Sequence, residues 1–238
     1  MIEKKEQVYE GKAKKVFKTS DPDLFIVSYK DDATAFNGQK KGQIAEKGVV
    51  NNTMSNIIFQ LLEEKGIPTH FVEQLSDRET VVKAVTILPL EVIIRNIAAG
   101  SFSQRYGVEE GFVFAKQTFE FSYKKDELGD PLINDDHAIA IGLASEEQIA
   151  KVREYSQRIN DIMKEYFLGK NLRLIDFKVE FGVDKDGNVI LADEISPDTC
   201  RFWDVDTGEK MDKDRFRRDL GNVEETYQEV LERVKGNE

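Results

Sequence analysis

Cysteine occurs once in the 238 residues, as Cys200, so no intrachain disulfide can form and a reducing, cytoplasmic compartment is expected. Histidine occurs twice, as His70 and His137, far apart and without ligand spacing, which leaves zinc hydrolase chemistry without support. Long apolar runs are also missing. The stretch 85–94 is interrupted by Thr86, Pro89 and Glu91, and nothing approaches the roughly 20 residues of a spanning helix. No apolar stretch follows Met1–Glu6, so neither a signal peptide nor membrane association is expected. Positive charge is in deficit: the formal net charge is -11, which repels phosphate backbones and argues against nucleic acid as a partner.

What remains is an ordinary globular composition, 40% hydrophobic and 33% charged, in a chain long enough to bury a real core. Apolar periodicity divides it. Residues 8–19 read as a hairpin turning near Gly11, and 24–29 as a short apolar strand. Met54, Ile57, Ile58, Leu61 and Leu62 recur at helical spacing, with Gly66 and Pro68 to end the helix. Strands are expected at 71–75, 81–87 and 91–96. A second long helix opens at Ser145, where Gln148 completes a capping box, and closes at Gly169. Strands over 172–183 and 189–195 flank the turn Asp184-Lys185-Asp186-Gly187. A last helix starts at Asn222, with Glu225 as partner in another capping box. Helices and strands do not alternate regularly, so the fold class is α+β. A division near residue 88, into parts 1–88 and 89–238, leaves a cleft between them.

The strongest chemical signal lies on the 172–195 hairpin. Alternation puts Asp176, Lys178 and Glu180 on one face and Phe177, Val179 and Phe181 on the other, which must be the core. With a four-residue turn, Val183 pairs with Asn188, Lys178 faces Asp193, and Glu180 lies diagonal to it. Two carboxylates ~4 Å apart repel by roughly 4 kcal/mol at an effective dielectric near 20. Such a patch wants a cation, and hard carboxylate oxygens suit Mg²⁺; a solvated polar face bridged by Lys178 is the bland alternative. Downstream, Arg201 beside Phe202 and Trp203 suits an anion, or else pairs with Asp198 or Asp204. The run Arg95-Asn96-Ile97-Ala98-Ala99-Gly100-Ser101 follows an apolar strand, permits close backbone approach, and offers Ser101 at the start of a short helix, or is simply a capped turn. Near the N-terminus, Lys12 and Lys14 share one strand face beside Gly11, where they could cover phosphates or merely protect an edge. A Walker A loop is absent.

Taken in order, residues 9–17 (YEGKAKKVF), 31–38 (DDATAFNG), 47–52 (KGVVNN), 89–101 (PLEVIIRNIAAGS), 174–182 (LIDFKVEFG), 193–204 (DEISPDTCRFWD) and 212–221 (DKDRFRRDLG) resemble the phosphoribosylaminoimidazole-succinocarboxamide synthase (SAICAR synthetase) family over nearly the whole chain. Glu46 departs from the Gly-Lys-Gly pattern of that stretch, with little effect expected. The resemblance implies two α+β parts with ATP in the cleft, similar in the nucleotide-binding half to kinases and ATP-grasp enzymes. It implies a ligase that uses ATP and Mg²⁺ to join L-aspartate to carboxyaminoimidazole ribonucleotide, giving SAICAR, ADP and phosphate through an acyl phosphate. By position, Gly11, Lys12 and Lys14 would meet ATP phosphates, and the segment around Lys83 to Leu90, Leu88 included, would hold adenine through backbone groups. Glu180 and Asp193 would serve nucleotide and metal. Arg95, Ser101 and Arg201 would hold the ribonucleotide phosphate. Lys178 would stabilise charge, and Asp198 would orient or deprotonate the amine. Bacterial relatives suggest a homodimer. A magnesium-dependent nuclease and an ATP-sensing module without turnover remain alternatives; aspartate-dependent ADP release separates the three.

Overall fold

The computed structural model describes residues 2–35 and 38–236, so Phe36 and Asn37 of the 31–38 motif lie outside the described residues. The expected N-terminal hairpin forms. Strands β1 (Lys4–Glu10) and β2 (Lys14–Thr19) pair antiparallel around Gly11, whose N–H donates to the Lys14 carbonyl at 2.8 Å. Strand β3 (Leu24–Tyr29) continues the sheet, and a small ladder of β4 (Asp32–Ala35) and β5 (Lys40–Gln43) leads into helix α1 (Lys47–Glu64). Strands β6 (Phe71–Gln74) and β7 (Glu79–Lys83) complete a five-stranded sheet in the order β1-β2-β3-β7-β6.

The strand expected over 81–87 is split in two. β7 stops at Lys83, and the chain crosses at residues 84 and 85 into β8 (Thr86–Ile97), which belongs to a second sheet. After β8 come α2 (Gly100–Tyr106), β9 (Val113–Tyr123), a short 3-10 turn, β10 (Leu132–Ile133), α3 (Asp135–Ala140) and α4 (Glu146–Leu168). The capping box of α4 is present: Ser145 Oγ accepts from the Gln148 N–H at 3.2 Å, and Gln148 Oε1 accepts from the Ser145 N–H at 2.8 Å. Strands β11 (Leu172–Val183), β12 (Val189–Ala192) and β13 (Cys200–Asp204), then α5 (Asp214–Arg217) and α6 (Val223–Lys235), finish the chain. Helix α6 starts where expected, but the Asn222/Glu225 box does not form. Asn222 is left-handed, at φ 49°, and its side chain makes no cap bond. A capping side chain reaches the third N–H only from an extended backbone.

β11 is the pivot of the second sheet. One edge pairs with β8 along most of its length; the other pairs with β13 over its first half and β12 over its second. The hairpin register differs by one residue from the expectation. Val183 pairs with Val189 and Glu180 with Ala192, because Asn188 joins the turn and donates its backbone N–H to the Asp184 carboxylate at 2.8 Å. Lys178 therefore has no Asp193 opposite it. Strand β12 also ends at Ala192, short of the expected Ile195, because Asp193 turns left-handed at φ 61°. Residues 193–199 leave the sheet there and return at Cys200 opposite Phe177, while the Lys178 N–H donates to the Thr199 carbonyl at 2.8 Å. The 193–199 loop is thus a long excursion pinned at the middle of β11.

The core runs without interruption beneath this strand. Phe177, Val179 and Phe181 point into it, as alternation requires, and share one buried core with Ile58 and Leu62 of α1, Phe167 of α4 and Val230 of α6. Helix α4 packs on β11, and α1 packs against α6. No helix among the described residues is long and apolar enough to cross a membrane.

Candidate active site

A cavity of about 950 Å³ opens over the polar face of β11. Basic and acidic residues line it in equal number, although the chain as a whole is strongly acidic. The cations are therefore gathered where anionic ligands would enter. Asp176, Lys178 and Glu180 form its floor, as the alternation predicts, and span roughly 13 Å along the strand.

At the Glu180 end, carboxylates meet lysines. Lys124 Nζ lies 2.6 Å from Glu180, Lys178 Nζ 2.6 Å from Glu91, and Lys14 Nζ 2.5 Å from Asp193 and 3.1 Å from Glu194. The turn of Asp193 out of β12 brings it here despite the shifted register. Burial and the Asp193 charge push the Glu180 carboxyl up to about 6, against the pull of Lys124. Burial would raise Asp193 too, but the Lys14 ammonium holds it below the usual carboxylate range.

The hairpin loop covers this end. Gly11, Lys12 and Lys14 all line the cavity, but the two lysines do not share a strand face. Lys12 sits in the turn, exposed, 3.6 Å from Asp126; β2 begins only at Lys14. The glycine and its tight turn shorten the strands by the residues that the alternation counted.

At the Asp176 end, carboxylates meet arginines. Arg95, 2% exposed, donates to Glu120 at 2.6 Å, Asp176 at 3.0 Å and Ser101 Oγ at 3.3 Å. Arg201 is ion-paired, though with Asp176 at 3.0 Å and Asp214 at 2.9 Å rather than with Asp198 or Asp204. Pairing of β13 with β11 places Arg201 beside Asp176 across the ladder, which sequence neighbours could not reveal. The small-residue run permits the expected close approach, here to a side chain. Gly100, at φ 52°, lies so close to Arg201 that a Cβ would stand 2.3 Å from the guanidinium.

Asp198 sits on the excursion loop at the cavity wall. Burial would raise its carboxyl, but Lys47, at 2.7 Å, and Lys213, at 3.8 Å, together with the Tyr227 hydroxyl hold it far below the usual range. Lys83 and Leu88 do not line the cavity. Lys83 Nζ donates to the Thr69 carbonyl at 2.9 Å, and Leu88 is buried in the core.

Sequence reasoning assigned no role to Lys47, Glu91, Lys124, Glu194, Lys213, Asp214, Arg217 or Tyr227. Lys47, Glu91, Glu194, Lys213, Asp214 and Arg217 stand inside the quoted motifs, so a role-by-role reading of those motifs could have found them. Lys124 and Tyr227 stand outside every motif, and only the pairing of β9 with β8 and the packing of α6 bring them in.

The SAICAR synthetase family model matches residues 7–234. The chain belongs to the SAICAR synthetase family. The phosphoribosylaminoimidazole-succinocarboxamide synthase of Clostridium botulinum (strain Eklund 17B / Type B) is 60% identical over 233 residues, covering 98% of this chain and 99% of that one. The synthase structure from Ehrlichia chaffeensis superposes with a TM-score of 0.95 at 44% identity, over 98% of this chain and 100% of that one. A SAICAR synthetase (Type-2) in complex with ADP superposes with a TM-score of 0.94 at 47% identity, over 98% of both chains. The expected α+β class thus agrees with family members across the full length. Glu46 stands where the backbone favours glycine. It caps α1 in a left-handed conformation, at φ 60°, where the Gly-Lys-Gly pattern would place an unstrained glycine.

Proposed function

We propose that this cavity is the active site of an ATP-dependent carbon–nitrogen ligase of purine biosynthesis. It joins L-aspartate to carboxyaminoimidazole ribonucleotide and yields SAICAR, ADP and phosphate. Family membership and the ADP complex of a relative support the nucleotide part of this reading. The observation that carries the rest is the layout of the β11 face: a carboxylate pair at one end, an arginine pair at the other, and Lys178 between them.

Glu180 and Asp193 fit a magnesium ion. They are two hard oxygen donors that destabilise each other as neighbouring charges. No cluster of three or more metal-ligating side chains occurs among the described residues, and Mg²⁺ takes one or two carboxylates plus phosphate and water oxygens. When bound, the ion would offset charge on the ATP phosphates. The Gly11 turn with Lys12 and Lys14 covers those phosphates; Lys83 and Leu88 lie outside the cavity lining, so only backbone groups of that segment would be left to meet the adenine. Arg95, Ser101 and Arg201 hold the ribonucleotide phosphate by charge-assisted hydrogen bonds.

A carboxylate is a poor electrophile, so activation must precede amide formation. The γ-phosphoryl group moves from ATP to a carboxylate oxygen of the ribonucleotide and ADP departs. The aspartate nitrogen then attacks the carbonyl carbon, the new C–N bond forms, and phosphate leaves as the amine loses a proton. Lys178 stabilises charge developing on the transferred group, since its neighbours Glu91, Asp193 and Glu180 keep it protonated despite burial. Asp198 orients the amine. Lys47, Lys213 and the Tyr227 hydroxyl hold its buried carboxyl in the charged form, which suits it to accept hydrogen bonds from the amino group. The lone buried thiol of Cys200 supports a cytoplasmic setting, and the family resemblance a homodimer, which light scattering would test.

The test is ADP release with both, either or neither of aspartate and the ribonucleotide. The reading requires release that depends on both. Release indifferent to aspartate would overturn it.

A further inference from the structure

Asp198 faces the cavity, yet the groups that hold it most tightly do not. Lys47 on α1 is 1% exposed and donates to Asp198 Oδ2 at 2.7 Å. Tyr227 on α6 is 0% exposed and donates its hydroxyl to Oδ1 at 2.6 Å. Neither lines the cavity. The same wall grips the loop further along: Ser55, two turns beyond Lys47 on α1, donates to the Ile195 carbonyl at 3.1 Å and accepts from its N–H at 3.2 Å.

A buried ion pair is seldom the most stable filling for such a space, because desolvating two charges consumes most of their attraction. Its retention here has a geometric use. An aspartate carboxylate turns freely about its side-chain torsions. One donor on each oxygen, arriving from two different helices, fixes both its position and its plane. On the cavity side, among the described residues, only the Lys213 ammonium stands near, 3.8 Å from Oδ2 and beyond hydrogen-bond reach, so both oxygens can still accept from a donor there.

We propose that Tyr227 and Lys47 are positioning residues for amide formation: from α6 and α1 they lock the Asp198 carboxylate so that it faces the amino group of the incoming amino acid. This rests on the ligase reading above and gives the C-terminal helix, which does not reach the cavity, a part in the reaction. The N–H groups of the neutral amine would donate to the open side of the Asp198 carboxylate and leave the nitrogen lone pair for attack, and loosening the carboxylate would misalign that nitrogen against the activated carbonyl.

The experiment uses the full chain. Tyr227→Phe keeps the ring and removes only the hydroxyl, and Lys47→Met keeps the length and removes the charge. Each is expected to lower kcat/KM for aspartate by about 10- to 100-fold while calorimetric affinity for ADP stays within about twofold. In an Asp198→Asn background, adding Tyr227→Phe is expected to cost nothing further, because its effect passes through Asp198. Losses that add in the double variant, or that fall equally on all substrates, overturn the proposal, and failure of both single variants to fold assigns the clamp to stability alone. An active wild type matched by both variants removes the positioning role and leaves the ligase reading standing. A wild type without aspartate-dependent ADP release removes both.

Discussion

At the Glu180 end of the β11 face the carboxylates are neutralised by lysines, and at the Asp176 end by arginines. Lys124 meets Glu180 with 44% of its side chain exposed, whereas Arg95 meets Asp176 with 3% exposed. A lysine is a point charge on a flexible stem; it can swing aside when a cation comes to its carboxylate. An arginine is a rigid fork whose N–H groups fix both partners. Asp176 accepts from Arg95 and Arg201 together, and Arg201 is further tied to Asp214. On the proposed assignment the first end can exchange its partners for a metal and a nucleotide, and the second is held rigid to receive a ribonucleotide phosphate.

The sharpest way to break this contrast is at Asp193. Asp193→Asn removes a charged oxygen without changing volume, and asparagine tolerates the left-handed backbone that the position requires. Turnover is expected to fall by about 100-fold or more with a folded chain, since charge stabilisation at the transferred phosphoryl group is lost. Near-normal turnover at ordinary Mg²⁺, checked against the melting curve, would sink the metal assignment.

Arg201→Ala probes the other end. It should weaken the ribonucleotide by roughly 10- to 150-fold, the value of a lost charge-assisted hydrogen bond, and leave ATP nearly unchanged. Equal weakening of both ligands in titration would make Arg201 a structural tie between Asp176 and Asp214 instead. Gly100→Ala sharpens the point without touching a charge. Its Cβ would collide with the Arg201 guanidinium, and its positive φ strains any L side chain by about 1–2 kcal/mol. The expected result is a smaller loss, again confined to the ribonucleotide, alongside a lowered melting temperature.

The mildest expected effect on turnover concerns His70, buried beside the lysine end, where the change falls on stability instead. Burial, then the Lys14 charge, depress its imidazole from 6.5 to about 3. Between those values the unfolded chain binds a proton that the folded chain refuses. His70 therefore favours the folded state fully above pH 6.5 and less as pH falls toward 3, by at most about 1.4 kcal/mol per pH unit. Denaturant unfolding of His70→Gln should show a shallower decline between pH 6.5 and 4 than wild type. Parallel curves would mean that His70 titrates normally.

Much of this contrast was legible in the sequence because both ends hang on one strand. Period-two alternation alone separates Asp176, Lys178 and Glu180 from Phe177, Val179 and Phe181, and burial of the second set leaves no choice of face. The Ser145/Gln148 cap was equally local. What failed was nonlocal or depended on backbone sign. The hairpin register slipped because a side-chain bond within the turn recruited Asn188. The Asn222 box failed because that residue adopts a left-handed backbone. The partners of Arg201 come from pairing of β13 with β11 and from α5, and Lys124 reaches Glu180 only through the sheet. Residue patterns give a strand its faces; they do not say which distant strand supplies the counter-charge.

In the proposed reaction the two ends meet across Lys178, with the phosphoryl group passing from the nucleotide held at one to the carboxylate held at the other. The direct measurement labels both carboxylate oxygens of the ribonucleotide with ¹⁸O and follows them by mass spectrometry. One label is expected in the released inorganic phosphate and the other in the new amide. Inorganic phosphate free of label would contradict it and move the phosphorylation to aspartate or to the enzyme itself.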